Sequence, residues 1–256
     1  MTLKLGEFFS RKLSGRGGVN VYDILKNIAF FIMLVDHFGF YLFQNIFFLR
    51  VIGRMSMPIF VILYGYSYKK SNPQILIFGV IAFLARLRFG YQVFPLNILY
   101  TMYISGFALP PLKNYYDNMK RRGCFALFLA MFFTPLLAVS IVFEYGALIL
   151  YLMFFGALLK KEKKDAGDYS TFFVIFLSLI FYASMDIGFV TSYMVIIFTC
   201  FFCLFYFLIK KHSSLRNPVY VKSKSLDLCL LFFSRFSLYL YPIHILLLIL
   251  IKKCLF

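Results

Sequence analysis

Long apolar segments separated by short basic stretches constrain this chain more than any other feature. Of its residues, 62% are hydrophobic, 21% are aromatic and only 14% are charged, and the mean hydropathy is +0.84. This density is typical of a polytopic helical membrane protein. We expect an all-α bundle of about nine hydrophobic segments. They lie near 24–44, 46–68, 74–90, 94–110, 123–142, 145–159, 169–188, 190–209 and 228–251.

No linker and no tandem repeat divides these segments, so we predict a single membrane-embedded domain over 23–256. Residues 1–22 form a basic arm in which apolar residues recur at helical spacing opposite the charges. This pattern predicts a short amphipathic helix on the cytosolic leaflet. The arm is too charged, and the apolar run after it too long, for a cleavable signal.

The net charge of +17 raises the question of nucleic-acid binding, but the placement of the charges argues against it. Most Lys and Arg residues lie in the arm and in the loops after every second apolar segment, and they form no continuous stripe. The positive-inside rule therefore predicts an integral membrane protein with a cytosolic N-terminus. Lys252 and Lys253 depart from this pattern, since nine spans place them outside.

Ionisable side chains lie inside the predicted spans, where they mark functional sites by default because they are costly unless paired. His37 lies deep in the first segment with Asp36 beside it. Lys26 stands eleven residues before His37, on the same helix face and about 16 Å away. Arg50 and Arg54 in the second segment fall at the depth of Asp36, so we expect Asp36 to pair with Arg54 or Arg50.

Further polar groups are predicted on the outer half of the bilayer. Asn97 lies near the outer end of the fourth segment, and Tyr241 and His244 lie within the last. A structural interpretation stays open, in which Asp36 and Arg54 only join two helices and His244 only bonds another helix. The closely spaced cysteine pair has no second pair or histidine nearby, so we predict no metal site.

A series of short motifs spans nearly the whole chain. They are Leu25–Ala29, Leu34–His37, Leu49–Arg54, Pro58–Phe60, Leu96–Thr101, Glu144–Gly146 and Tyr241–His244. In this order they resemble the TraX family, which is associated with acetylation of the N-terminus of conjugative F-type pilin. The likeness widens to the transmembrane acyltransferases, whose O-acetylases carry a basic residue eleven before a first-helix His, as Lys26 and His37 do here. TraX relatives often have an acid–glycine pair where this chain has Tyr66 and Ser67, which leaves the acceptor open.

The resemblance implies an acetyltransferase of the bacterial inner membrane that takes an acetyl group from cytosolic acetyl-CoA. The acceptor, on the outer side, would be a pilin-type N-terminal amine or an envelope glycan. Acyl transfer needs a base and oxyanion donors. The catalytic candidates are His37, Asp36, Arg54 and His244, and the candidates for contacting acetyl-CoA are Lys26, Arg50, Asn97 and Tyr241.

Two other functional classes stay open. A proton-coupled transporter or flippase would also carry ionisable groups within the membrane, although such proteins more often show two related halves with interrupted helices. A non-enzymatic assembly partner of a pilus or envelope complex would tolerate replacement of both intramembrane histidines. The sequence does not give the oligomeric state.

Overall fold

A computed structural model describes residues 18–43, 46–68, 70–90, 97–121, 146–160, 215, 219 and 223–255. Every helix or strand assigned in this part of the chain is an α-helix, so the all-α prediction is confirmed there. The helices are α1 (Val21–Tyr41), α2 (Phe47–Gly53), α3 (Ser56–Ser67), α4 (Pro73–Arg88), α5 (Ile98–Arg121), α6 (Gly146–Leu159) and α7 (Lys224–Leu255).

Two of these helices, α1 and most of α7, are long and apolar enough to cross a membrane. A bilayer core about 30 Å thick requires about 20 apolar residues in a helix. Together with the composition, the two helices indicate a membrane protein. The predicted segments 123–142, 169–188 and 190–209 and most of the N-terminal arm lie outside the described residues.

The chain divides into two compact units. The first comprises Met1–Ile59 and Phe205–Phe256 and holds α1, α2, the start of α3 and α7. The second comprises Phe60–Leu204 and holds the rest of α3 with α4, α5 and α6. The single membrane domain predicted over 23–256 stays a prediction.

A capping box begins α1. The side chain of Asn20 accepts from the Asp23 N–H at 2.9 Å, and the Asp23 carboxylate accepts from the Asn20 N–H at 3.3 Å. These bonds satisfy donors that the start of a helix leaves open. The same carboxylate accepts from the Ser234 hydroxyl at 2.6 Å, so one residue both starts α1 and ties it to α7.

The two long helices of the first unit run in the same direction. Just before α1, the N–H of Val19 donates to Asp227 near the start of α7 at 3.1 Å. Close to the end of α1, His37 meets His244 well along α7. Because the residue numbers of the partners rise together, α1 and α7 pack in parallel.

The prediction of one helix over 46–68 is wrong, because the structure has two, α2 and α3. The break follows from Pro58, which has no N–H for the Arg54 carbonyl and whose ring clashes with that carbonyl. The hydroxyl of Ser56 donates to the Gly53 carbonyl at 2.8 Å and spans the break. Arg54 therefore lies at a junction between helices and not within one.

The prediction that the fourth segment ends near residue 110 is also wrong. The helix continues to Arg121 through two prolines, Pro110 and Pro111. Pro110 cannot donate to the carbonyl of Gly106. The hydroxyl of Tyr68 donates to that carbonyl in its place, which supports the helix where its own backbone donor is missing.

In the second unit, α3 and α6 approach backbone to backbone. A Cβ added at Gly65 would lie 2.0 Å from the Met153 carbonyl oxygen, and one at Gly156 would lie 2.1 Å from the Ile62 carbonyl oxygen. Only glycine fits either position without moving a helix. Most of α6 is buried, as expected of a helix that is apolar on all sides.

Candidate functional site

Two histidines from different helices meet in the first unit. His37, near the end of α1, places its Nδ1 2.5 Å from Nε2 of His244 in α7. The ring planes are inclined by 24° and their centroids are 4.7 Å apart. A nitrogen–nitrogen contact this short does not fit ring faces stacked on one another. The imidazoles therefore meet edge to edge and share a hydrogen bond.

A third group fixes which nitrogen carries each proton. His244 Nδ1 lies 3.0 Å from the carbonyl oxygen of Leu240, and a carbonyl only accepts. With both rings neutral, His244 Nδ1 must then carry a hydrogen, which leaves its Nε2 as an acceptor. His37 Nδ1 must donate to that acceptor. By this elimination, Nε2 of His37 is the unprotonated, basic nitrogen of the pair.

Aromatic rings surround the two imidazoles. The ring centroids of Tyr41 and Tyr241 lie 6.2 Å and 6.0 Å from that of His37. Phe30 and Tyr241 lie 6.4 Å and 5.6 Å from the His244 ring, and His244 is buried. Surroundings that exclude water strengthen a hydrogen bond and make its geometry more definite.

Asp36, the neighbour of His37, forms an ion pair with Arg50. Its Oδ1 lies 2.9 Å from Nη1 of Arg50, which also donates to the Asp36 backbone carbonyl at 3.3 Å. The guanidinium lies 5.0 Å from the ring centroid of Phe40. Of the two partners expected for Asp36, Arg50 therefore forms the ion pair. Arg54 is the C-cap residue of α2.

Two glycines allow α1 and α2 to come close enough for this ion pair. A Cβ at Gly53 would lie 2.2 Å from Cβ of Asp36, and one at Gly39 would lie 2.9 Å from Cβ of Leu49. Neither contact is possible in a real structure, so any larger residue forces the helices apart. The separation that brings Arg50 to Asp36 therefore depends on glycine at these positions.

Lys26 lies closer to the start of α1 than the histidine pair. Its Nζ is 6.0 Å from the centroid of the Tyr22 ring, so the side chain points toward the helix N-terminus, as helical side chains do. The ammonium is thus farther from His37 than the rise of about 16 Å between their backbone positions. Lys26 therefore lies at the N-terminal end of the face of α1 that also carries His37.

Asn27 is a polar residue to which sequence reasoning gave no role. It is 3% exposed, and its Nδ2 donates to the Leu230 carbonyl of α7 at 2.8 Å. Its Oδ1 accepts from no donor in the described part of the chain. Burying an acceptor in this way costs about 1–3 kcal/mol. The signals in the sequence are its place in the Leu25–Ala29 motif and an amide within an apolar run.

The structure thus brings three predicted site residues, the two histidines and Tyr241, into contact, and it pairs Asp36 with Arg50. Asn97 belongs to the second unit, where its side-chain oxygen accepts from the Leu99 N–H at 3.1 Å at the start of α5. The catalytic and binding roles of these residues stay predictions, as does the absence of a metal.

Comparison with known proteins assigns the chain to a family. A family model described as TraX protein matches residues 21–252, a range that includes every candidate site residue. An uncharacterized protein of Rickettsia prowazekii (strain Madrid E) is 29% identical over 162 residues, which cover 63% of this chain and 64% of that relative. The match therefore spans less than two thirds of the relative. No solved structure matches the chain. The chain belongs to the TraX family.

Proposed function

We propose that this protein is a membrane-embedded acetyltransferase of the bacterial inner membrane, which moves an acetyl group from cytosolic acetyl-CoA to an acceptor at the outer side. The observation that carries the proposal is the hydrogen bond between His37 and His244. Acyl transfer needs an oriented base, and an imidazole held in one tautomer meets that need. The association of the TraX family with pilin acetylation points to the same reaction.

His37 is the general base in this proposal. Its Nε2 takes the proton from the acceptor's amine or hydroxyl while that nitrogen or oxygen attacks the carbonyl carbon of the thioester. The carbon–sulfur bond then breaks, CoA leaves as the thiolate, and the proton held by His37 passes to sulfur. His244 accepts the hydrogen bond from the other ring nitrogen throughout, so it orients the base and stabilises the imidazolium.

Tyr241 is the first candidate to stabilise the oxyanion that forms on the thioester carbonyl. Its ring contacts both imidazoles, so its phenol belongs to the same small region. Arg54 in the same unit is the second candidate. A preorganised donor of either kind stabilises charge that develops only in the transition state, which is where it lowers the barrier.

Lys26 contacts the phosphates of CoA in this proposal, where an ammonium acts as a point charge. Arg50 was predicted to contact CoA as well. Its ion pair with Asp36 favours a different role, which is to compensate the charge of that largely buried carboxylate. A pilin-type amine and a glycan hydroxyl both present a proton that His37 can accept, so the chemistry suits either acceptor.

Purified full-length protein tests the proposal when it is incubated with acetyl-CoA labelled in its acetyl group and with an acceptor, either a peptide with a free N-terminal amine or an oligosaccharide. We expect the wild type to consume the labelled thioester and His37→Ala to lose about 10²–10⁴-fold of that rate, the usual contribution of a general base. His212→Ala, which changes a histidine that the sequence places in a basic loop, is the matched control and should retain the rate.

Two results would contradict the proposal. Activity of His37→Ala within about tenfold of the wild type would remove His37 from the base role. A well-folded wild type that neither hydrolyses nor transfers the label would exclude the enzyme and favour the transporter or the assembly partner.

A further inference from the structure

Within the described part of the chain, the carboxamide of Asn27 has a hydrogen-bond partner for its nitrogen and none for its oxygen. Its Nδ2 donates to the Leu230 carbonyl at 2.8 Å, which fixes the side-chain orientation and identifies Oδ1 as the remaining acceptor. Asn27 is 97% buried, since only 3% of it is exposed, and no described residue donates to Oδ1. The fold thus holds a buried acceptor in a defined direction.

Packing alone does not account for an asparagine at this position. Leu230 lies inside α7, where a carbonyl already has a backbone N–H donor four residues later in the helix. The bond from Nδ2 is therefore not needed to satisfy Leu230. A leucine at position 27 would fill the same space between the helices without burying an acceptor. The amide instead fits a ligand that brings an N–H or O–H group.

The side chain of Asn27 lies between the two ends of the proposed path for acetyl-CoA. Asn27 is next to Lys26 in sequence and precedes His37 by about 15 Å along α1. Asn27, Phe30 and His37 all contact α7, through Leu230, Phe233 and His244 in turn. A ligand that reaches from the phosphate end to the base along these two helices passes the level of Asn27.

We propose that Asn27 is a binding residue for the acyl donor and that its Oδ1 accepts a hydrogen bond from an amide N–H of the pantetheine arm. This inference rests on the proposed function. The arm links the phosphates to the thioester and contains secondary amides, whose N–H groups need acceptors once they leave water. Asn27 recognises the arm, whereas Lys26 recognises the phosphates.

Equilibrium binding to the full chain in detergent or nanodiscs tests the inference with two probes. CoA carries the arm, and 3′-phosphoadenosine 5′-diphosphate has the same phosphates without it. Asn27→Leu should reduce the affinity for CoA about tenfold and leave the affinity for the truncated probe unchanged, because one hydrogen bond to the arm is lost. An unchanged preference for CoA, or an equal loss for both probes, would overturn the inference.

A second measurement needs no variant and covers the case in which Asn27→Leu does not fold. A CoA analogue with esters in place of the pantetheine amides has no N–H to donate. The wild type should bind it about tenfold more weakly than CoA, and equal affinity would overturn the inference. Wild-type protein that binds neither CoA nor the truncated probe would instead refute the donor named in the proposed function.

Discussion

At the scale of single residues, Asp36 and Arg50 show how a charged pair is tolerated beside the histidines. Their side chains are 14% and 23% exposed, so both charges lose most of their hydration. The guanidinium recovers part of that loss through the carboxylate, the Asp36 carbonyl and the face of Phe40. Removal of one partner leaves the other charge largely buried and uncompensated.

We therefore expect Asp36→Asn and Arg50→Gln each to lower the free energy of unfolding. Breaking a fully buried pair costs about 3–5 kcal/mol, and the remaining exposure of this pair favours the lower end of that range. Thermal unfolding in detergent measures the loss, and Arg54→Gln is the matched control that should cost less. The double variant should recover part of the loss, whereas strictly additive losses would show that the two side chains do not interact.

At the scale of helices, the approach of α1 to α2 decides whether that ion pair exists. Gly53 contacts the backbone of Asp36, since an added Cβ would lie 2.3 Å from the Asp36 Cα. An alanine there must push the helices apart and carry Arg50 away from the carboxylate. The stability of the helix pair and the position of the Arg50 guanidinium therefore depend on the absence of a Cβ at Gly53.

Gly53→Ala should destabilise the protein by about 1–3 kcal/mol, the usual cost of overpacking. Gly79→Ala is the matched control, because its new Cβ would lie 3.4 Å from Cβ of Leu99 in α5, which is an ordinary van der Waals contact. Thermal unfolding of the two variants compares them. Equal stability of Gly53→Ala and Gly79→Ala would mean that α1 and α2 do not pack as described.

The sequence was sufficient to predict the helices that hold the histidines, because α1 and α7 are long apolar runs whose polar residues stand out. It was not sufficient to predict helix breaks. The helix α2 ends at Gly53, before Pro58, whereas α5 continues through Pro110, where the hydroxyl of Tyr68, distant in sequence, donates to the Gly106 carbonyl. The sequence also did not show whether Arg50 or Arg54 pairs with Asp36. That choice depends on the close approach of α1 and α2 at Gly53, which depth along a span does not specify.

At the scale of the whole molecule, the parallel packing of α1 and α7 limits the topology. Two parallel helices that span the membrane begin on the same side of it. The number of spans from α1 through α7, counting both, must therefore be odd. The nine spans expected from the sequence satisfy this condition. We therefore expect Lys252 and Lys253 at the end of α7 to lie on the side opposite the N-terminus, despite the positive-inside rule.

Two exposed cysteines on α7 provide the test of this topology. Cys229 and Cys254 are separated by about 37 Å along the helix, more than the thickness of the bilayer core. In single-cysteine variants, a membrane-impermeant maleimide should label Cys254 from outside intact cells and Cys229 only after permeabilisation. Labelling of both cysteines from the same side would show that α7 does not span the membrane.

The central claim is that His37 and His244 act as one acid–base unit, and a double-variant cycle tests it most directly. Acetyl transfer is measured for the wild type, His37→Gln, His244→Gln and the protein with both changes. We expect His37→Gln to lose about 10²-fold or more of the rate. The double variant should lose no more than about threefold beyond that, because the second substitution in a unit removes little once the first has disabled it. Losses that multiply in the double variant would show that the two imidazoles contribute independently and would contradict the account.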